Sequence, residues 1–290
     1  MMQNIWKKLF IASAVLLVIS IVLSTISLYR FNQLESSLSG EETDVTYPIY
    51  EPGSTAEKWQ SNYSDIRTQI YLRLGTGPDA MLFITPDEPE ITKLVQEITG
   101  GYSEEFFWKD YIKMYRWILI NIDYTLDSPL PILPESLDST VDDLYWESDF
   151  WRLPVETLSA GKGDCEDMAN LLVSMVLNYN QRKFPIWIIG ARTENPYAKA
   201  HLAVAIPLQG AHFAIFDISG RYYTPFEEMG GFGSLYFPNA LEQWLKHLER
   251  TNMFESEIYV AHSEDFYTEF SGNEDFLEWV FQYYAENDSL

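Results

Sequence analysis

Residues 151–179 read WRLPVETLSAGKGDCEDMANLLVSMVLNY, from Trp151 to Tyr179, and contain the only cysteine of the chain, Cys165. Gly161 and Gly163 come just before it, and Asp164, Glu166 and Asp167 surround it. From Met168 onward, Leu171, Leu172, Met175, Val176 and Tyr179 recur at helical spacing, so one face of a helix is buried. Asp164 stands in the position of an N-cap, and Asp167, three residues on, in that of a capping-box acid. Cys165 then occupies the first helical turn. Free N–H groups and the positive end of the helix dipole favour thiolate there, and thiolate is the reactive form. A packing cysteine is the competing reading, because free cysteine is among the most buried residue types. Its partners in the fold decide between the two.

Those partners come downstream. Residues 184–190 (FPIWIIG), 200–207 (AHLAVAIP) and 212–218 (HFAIFDI) read as buried strands, with Gln209-Gly210 as the turn of a hairpin between the last two. A turn centred near Gln209 puts His201 opposite Asp217 on one face of the sheet. A slip of one residue would part them. Thiol, imidazole and carboxylate then make a Cys-His-Asp arrangement. Asp217 orients His201, His201 takes the thiol proton, and Cys165 attacks an amide carbonyl. His212 lies near the turn, and His247 and His262 fall in the C-terminal part, so none replaces His201.

Upstream, the alternation of Ile66, Ile70, Leu72 and Leu74 with Arg67, Gln69 and Arg73 reads as a half-buried strand. Residues 81–85 pair with it across 75–78. Residues 88–99 and 103–122 read as helices, the second followed by a long proline-rich and acidic connection that leads to Trp151. Beyond residue 225, helices over 239–250 and 275–285 and a strand over 257–261 read as additions around the core.

From Leu9 to Leu28 no residue is charged, which matches the thickness of a bilayer. Lys7 and Lys8 precede the run, and Arg30, then Glu35, Glu41, Glu42 and Asp44 follow it, favouring a cytoplasmic N-terminus. A cleaved signal peptide competes with an uncleaved anchor, but the run is long for one and lacks a clear small-residue exit. The expected organisation is a cytoplasmic tail (1–8), a transmembrane anchor (9–28), a linker (29–62) and an extracytoplasmic domain (63–290). The net charge of −24 argues against nucleic acid or anionic lipid as a partner. One cysteine excludes an internal disulfide.

The run Gly163-Asp164-Cys165-Glu166-Asp167-Met168-Ala169, the strand beginning Ala200-His201, and Phe216-Asp217 resemble the transglutaminase-like cysteine-peptidase superfamily with its papain-like fold. The lead-in Asp149-Phe150-Trp151-Arg152-Leu153-Pro154, with Glu156-Thr157-Leu158, is similar to that of one bacterial branch, the transglutaminase-like cysteine proteinases. That branch includes calcium-dependent periplasmic proteases that release biofilm adhesins. The resemblance covers about residues 103–225 and leaves 226–290 as additions. It implies an α+β fold in which the cysteine helix packs on an antiparallel sheet bearing His and Asp, and it gives the triad roles to Cys165, His201 and Asp217.

This chain departs from that pattern in two places. Ala203 stands where many relatives have an aromatic residue, and Arg152 where the branch often has glutamine. The first alters the cleft wall and the second puts a side-chain oxyanion donor in doubt. The backbone N–H of Cys165 remains as one donor, with Trp151 and Arg152 as oxyanion or cleft candidates. Three carboxylates beside a thiol raise its pKa, and a divalent cation would offset them. Oxygen ligands suit calcium, and relatives with the same acidic run bind it there. The resemblance thus implies a structural calcium at Asp164, Glu166 and Asp167; helix-capping acids without metal are the other reading. The chemistry itself requires no cofactor. The expected function is a single-pass, membrane-anchored cysteine hydrolase that cleaves an amide bond of a protein or peptide through an acyl-thioester. The alternatives are a protein-crosslinking transglutaminase and a catalytically inactive binding or assembly module at the membrane.

Overall fold

Apolar runs such as Trp187–Gly190, with hardly a polar residue on either side of the strand, require a sheet covered on both faces. The structure, a computed structural model, has that arrangement. It describes residues 63–134, 145–194, 199–226 and 231–287. The expected tail, anchor and linker lie outside the described residues. Among those described, no helix is long and apolar enough to cross a membrane.

The first half is mostly helical: α1 (63–72), a 3-10 helix at Gly77–Phe83, α2 (Pro89–Thr99), α3 (Phe107–Asn121), β1 (Asp123–Tyr124), β2 (Leu130–Ile132), β3 (Tyr145–Glu147), α4 (Pro154–Ala160), β4 (Lys162–Gly163) and α5 (Cys165–Asn180). The second half supplies the sheet: β5 (Trp187–Thr193), β6 (Lys199–Leu208), β7 (His212–Asp217), β8 (Tyr222–Tyr223), β9 (Pro225–Phe226), β10 (Gly231–Phe232), β11 (Leu235–Tyr236), α6 (Phe237–Leu248), β12 (Glu257–His262), β13 (Tyr267–Glu269) and α7 (Asn273–Glu286). Its strand order is β11-β7-β6-β5-β12-β13, with β8 also on β7, and neighbouring strands are antiparallel.

The period of two along each strand divides its residues between two cores. Ile188, Val204 and Phe216 pack with Leu171 and Met175 of α5 and with α2 and α3. Trp187, Ile189, Ala205 and Phe213 pack on the other face with Trp244 of α6 and Phe276 of α7. The expected α+β fold, with the cysteine helix packed on an antiparallel sheet, is present. The C-terminal part is more than an addition, because β12 lies inside the sheet beside β5 and α6 and α7 cover its second face.

Two expectations fail near the start. Residues 66–74 do not form a strand; 63–72 are helical. Ile66 and Ile70 are four apart, which satisfies the helical period as well as the alternating one, and nothing in so short a run separates the two. Tyr63 and Arg67, four apart, reach from this helix to the carbonyls of Pro134 and Leu133. Residues 81–85 likewise give no strand, since Pro78 opens a 3-10 helix at Gly77–Phe83.

Candidate active site

The start of α5 is fixed from both sides. Asp164 is extended (φ −105°, ψ −152°) and turns into the helix at Cys165, as the sequence predicts. The capping box does not form, because Asp167 faces another way. It accepts from the Arg152 backbone N–H at 2.8 Å and from the Arg152 guanidinium. Gly163 is required by close packing: a Cβ there would lie 2.6 Å from that of Asp167. Its strand, β4, runs parallel to β1, with Tyr124 opposite Gly163.

Cys165 is partly exposed and unpaired in any disulfide. Its thiol donates to Glu166 Oε2 at 3.3 Å. Burial, then the charges of Glu166 and Asp164, push the thiol pKa well above the ordinary cysteine value, and the backbone N–H of Leu202 acts in the other direction. The thiol therefore sits against β6, beside the residue that follows His201.

His201 Nε2 meets Asp217 Oδ2 at 2.9 Å, which leaves Nδ1 as the ring nitrogen free of Asp217. The register differs from the expected one. Val204 pairs with Phe216 and Leu208 with His212, so the turn is centred on Gly210. Continued one step, that register sets Asp217 opposite Ala203 rather than His201. Moving the turn centre by a whole residue shifts the partner by two, which keeps both side chains on one face. The pair forms diagonally.

Asp217 is fully buried and amply supplied with donors. Oδ2 also accepts from Trp244 Nε1 at 3.0 Å, and Oδ1 accepts from the Gly220 N–H at 2.7 Å and the Ser219 hydroxyl at 3.4 Å. Burial opposes its ionisation, yet His201 and the donors outweigh burial and hold the carboxyl below its ordinary value. Trp244 was not marked in the sequence. Its indole N–H, which needs a partner when buried, was the available signal.

A second set of carboxylates lies at the mouth of α5. One oxygen from each of Asp127, Asp149, Asp164 and Glu166 falls within 4.8 Å of the others. Asp164 Oδ1 and Glu166 Oε1 are buried without a hydrogen-bond partner. Burial and then Asp164 push Glu166 up to about 11, and the surrounding protein with the charge of Asp164 raises Asp149 as well. Of the expected metal ligands, Asp164 and Glu166 belong to this group and Asp167 does not, being held by Arg152. Asp127 and Asp149 join it unforeseen. Asp149 opens the quoted lead-in, whereas Asp127 follows α3 in a stretch with no periodic signal. Four converging carboxylates, with unpartnered oxygens on Asp164 and Glu166, fit a hard divalent cation such as calcium.

The two oxyanion candidates are otherwise engaged. The Arg152 guanidinium bridges Asp127 and Asp167, which removes it as a free donor. Trp151 is buried against Phe83 and His262, and its indole lies where a Cβ of Gly75 would stand. Two tyrosines take places near the thiol: Tyr124, which the sequence offered as a residue able to reach a site from the exit of α3, and Tyr259, which it did not mark. Tyr124 and Tyr259 are both pushed up, first by burial and then by the charge of Cys165.

The thiol thus stands at a helix start, set against an antiparallel sheet that carries a His–Asp pair. Residues 91–227 match the family model of a transglutaminase-like domain. A comparison with curated proteins finds no match. Among solved structures, LapG of Legionella pneumophila is similar at 14% identity, with 69% of this chain and 98% of that one covered and a TM-score of 0.35. Its calcium-bound form is similar at 15% identity, covering 69% and 99%, with a TM-score of 0.32. A protein of Cytophaga hutchinsonii, provisionally assigned as a cysteine protease, is similar at 13% identity with a TM-score of 0.32. The match covers 66% of this chain but only 55% of that protein's length.

Proposed function

We propose that this protein is a cysteine hydrolase acting on an amide bond of a protein or peptide, with Cys165, His201 and Asp217 as its triad. The observation that carries the reading is the His201–Asp217 pair at 2.9 Å, in which His201 stands on β6, the strand against which the Cys165 thiol rests. In the first half-reaction His201 Nδ1 takes the thiol proton and sulfur attacks the carbonyl carbon. The backbone N–H of Cys165 donates to the oxyanion. Collapse breaks the C–N bond, and the His201 imidazolium protonates the departing amine. His201 then takes a proton from water, which attacks the thioester and releases the acid and the thiol. Asp217 holds the ring through Nε2 throughout and stays ionised. An amine in place of water would give crosslinking by the same steps.

Asp127, Asp149, Asp164 and Glu166 would hold a calcium ion. When bound, the ion supplies positive charge that offsets the carboxylates raising the Cys165 pKa. The uncharged run 9–28 supports membrane anchorage, with the hydrolase domain outside the cytoplasm.

The test is the rate at which iodoacetamide labels Cys165 across pH, with calcium and with chelator, beside His201→Ala. Fast labelling at neutral pH that collapses in the variant supports the triad, and acceleration by calcium supports the cation. Slow labelling that ignores both His201 and calcium sinks the hydrolase reading and favours a binding module.

A further inference from the structure

Helix α6 faces two ways. Trp244 reaches inward to Asp217. Lys246 and His247, with Arg250 just beyond the helix, turn to a cleft of about 590 Å³. Tyr222, Pro225 and Phe254 give it apolar walls, and Phe254 is exposed. Glu249 is the one carboxylate among the lining residues. The chain has a net charge of −24, and Arg73, Arg152 and Arg182 are all paired with acids. Among the described residues, Lys246 and Arg250 have no carboxylate at ion-pair distance. Lys199 adds a third cation nearby, its ammonium donating to the Thr251 carbonyl at 3.4 Å. Unpaired cations beside apolar walls in so acidic a protein select an anion carried on an apolar frame.

The cleft backs onto the triad. His247 Nε2 donates to the Gly220 carbonyl at 2.9 Å, and the Gly220 N–H donates to Asp217. Tyr222, whose ring lies 4.9 Å from that of His247, pairs with Asp217 across β7 and β8. A ligand in the cleft would press on the turn that holds the Asp217 carboxylate.

We propose that the cleft formed by Lys246, His247, Arg250, Tyr222 and Phe254 is a second binding site, which takes a carboxylate next to an aromatic or aliphatic group. Its source is an acidic side chain of a polypeptide or a free small carboxylate. Use of the site to hold a substrate chain rests on the hydrolase reading; the binding itself does not.

The full chain in neutral detergent is titrated against a fluorescein-labelled Glu-Phe-Glu-Phe-Glu peptide, with Lys-Phe-Lys-Phe-Lys as control, and anisotropy is read. Saturable binding of the acidic peptide alone, weakened at least about tenfold by Lys246→Glu with Arg250→Glu and by added salt, is the expected result. Both residues are exposed, so the melting temperature of the variant should match that of the parent. Cys165→Ala should bind as the parent does, so a failure of the hydrolase reading leaves this result intact. Full displacement by benzoate at concentrations comparable to the peptide identifies a small-carboxylate site, and weak displacement a polypeptide site. No binding of the acidic peptide up to about 1 mM, or equal binding by the charge-reversed variant, overturns the proposal.

Discussion

Asp217 and the Asp127–Asp149–Asp164–Glu166 group are carboxylate sites in one domain, and their chemistry is opposite. Asp217 is alone and receives donors on both oxygens, so its charge is favoured although no part of it meets solvent. The four-carboxylate group has Arg152 as its paired cation and leaves two buried oxygens without a donor, so Glu166 resists ionisation. Burial is common to Asp217, Asp164 and Glu166. What differs is the number of donors per charge, and that decides whether a buried carboxylate orients a base or waits for a cation.

The strongest way to break this contrast is Asp217→Ala. It should lower His201-dependent labelling of Cys165 by about a thousandfold and cost about 3 kcal/mol in a urea melt, because Trp244 and Gly220 lose their acceptor. Arg152→Met should cost nearly as much, about 3 kcal/mol, since it leaves Asp167 buried without its cation; an unchanged melt would remove Arg152 from its structural role. Calcium should stabilise the parent by about 2.7 kcal/mol at a hundred times its dissociation constant and do nothing for Asp149→Asn with Glu166→Gln. In chelator that double variant should be the more stable protein, the reverse of the outcome at Asp217.

The two sites should also respond to pH with opposite sign. The Asp217 value is lowered, so its contribution is present above the unfolded carboxylate value and lost as pH falls through its own. The Glu166 value is raised from 4.5 to about 11, so the stability tied to its neutral form is complete below 4.5 and lost as pH rises toward about 11. Melts in chelator should therefore weaken from about pH 5 to pH 9, and calcium should flatten that decline. The smallest effect expected is from Trp244→Phe, about 1 kcal/mol, with a shift in the pH profile of labelling that a purely structural role would not give.

Much of this was legible in the sequence, for reasons that can be named. The cysteine helix announced itself through its apolar period and the aspartate in the N-cap position before it. The His201–Asp217 pair survived an error in the turn centre because the sheet conserves faces under a shift of two. What stayed hidden depended on contacts between distant segments. Asp127 lies 38 residues before Cys165 in a stretch without pattern, and Trp244 lies 27 residues after Asp217. Arg152 read as a departure from an oxyanion donor because the sequence does not say which carboxylates it meets. Helix 63–72 was missed because its apolar spacing fits two periods.

The reach of Trp244 also bears on when the site comes into being. Cys165, His201 and Asp217 all leave the ribosome before residue 237, where α6 begins. Until α6 docks, Asp217 lacks its indole donor and the second face of the sheet stands open to water. The nascent chain thus carries Cys165, His201 and Asp217 before the element that completes the surroundings of Asp217. A product truncated before α6 would keep all three side chains but leave Asp217 without its indole donor and one face of the sheet bare.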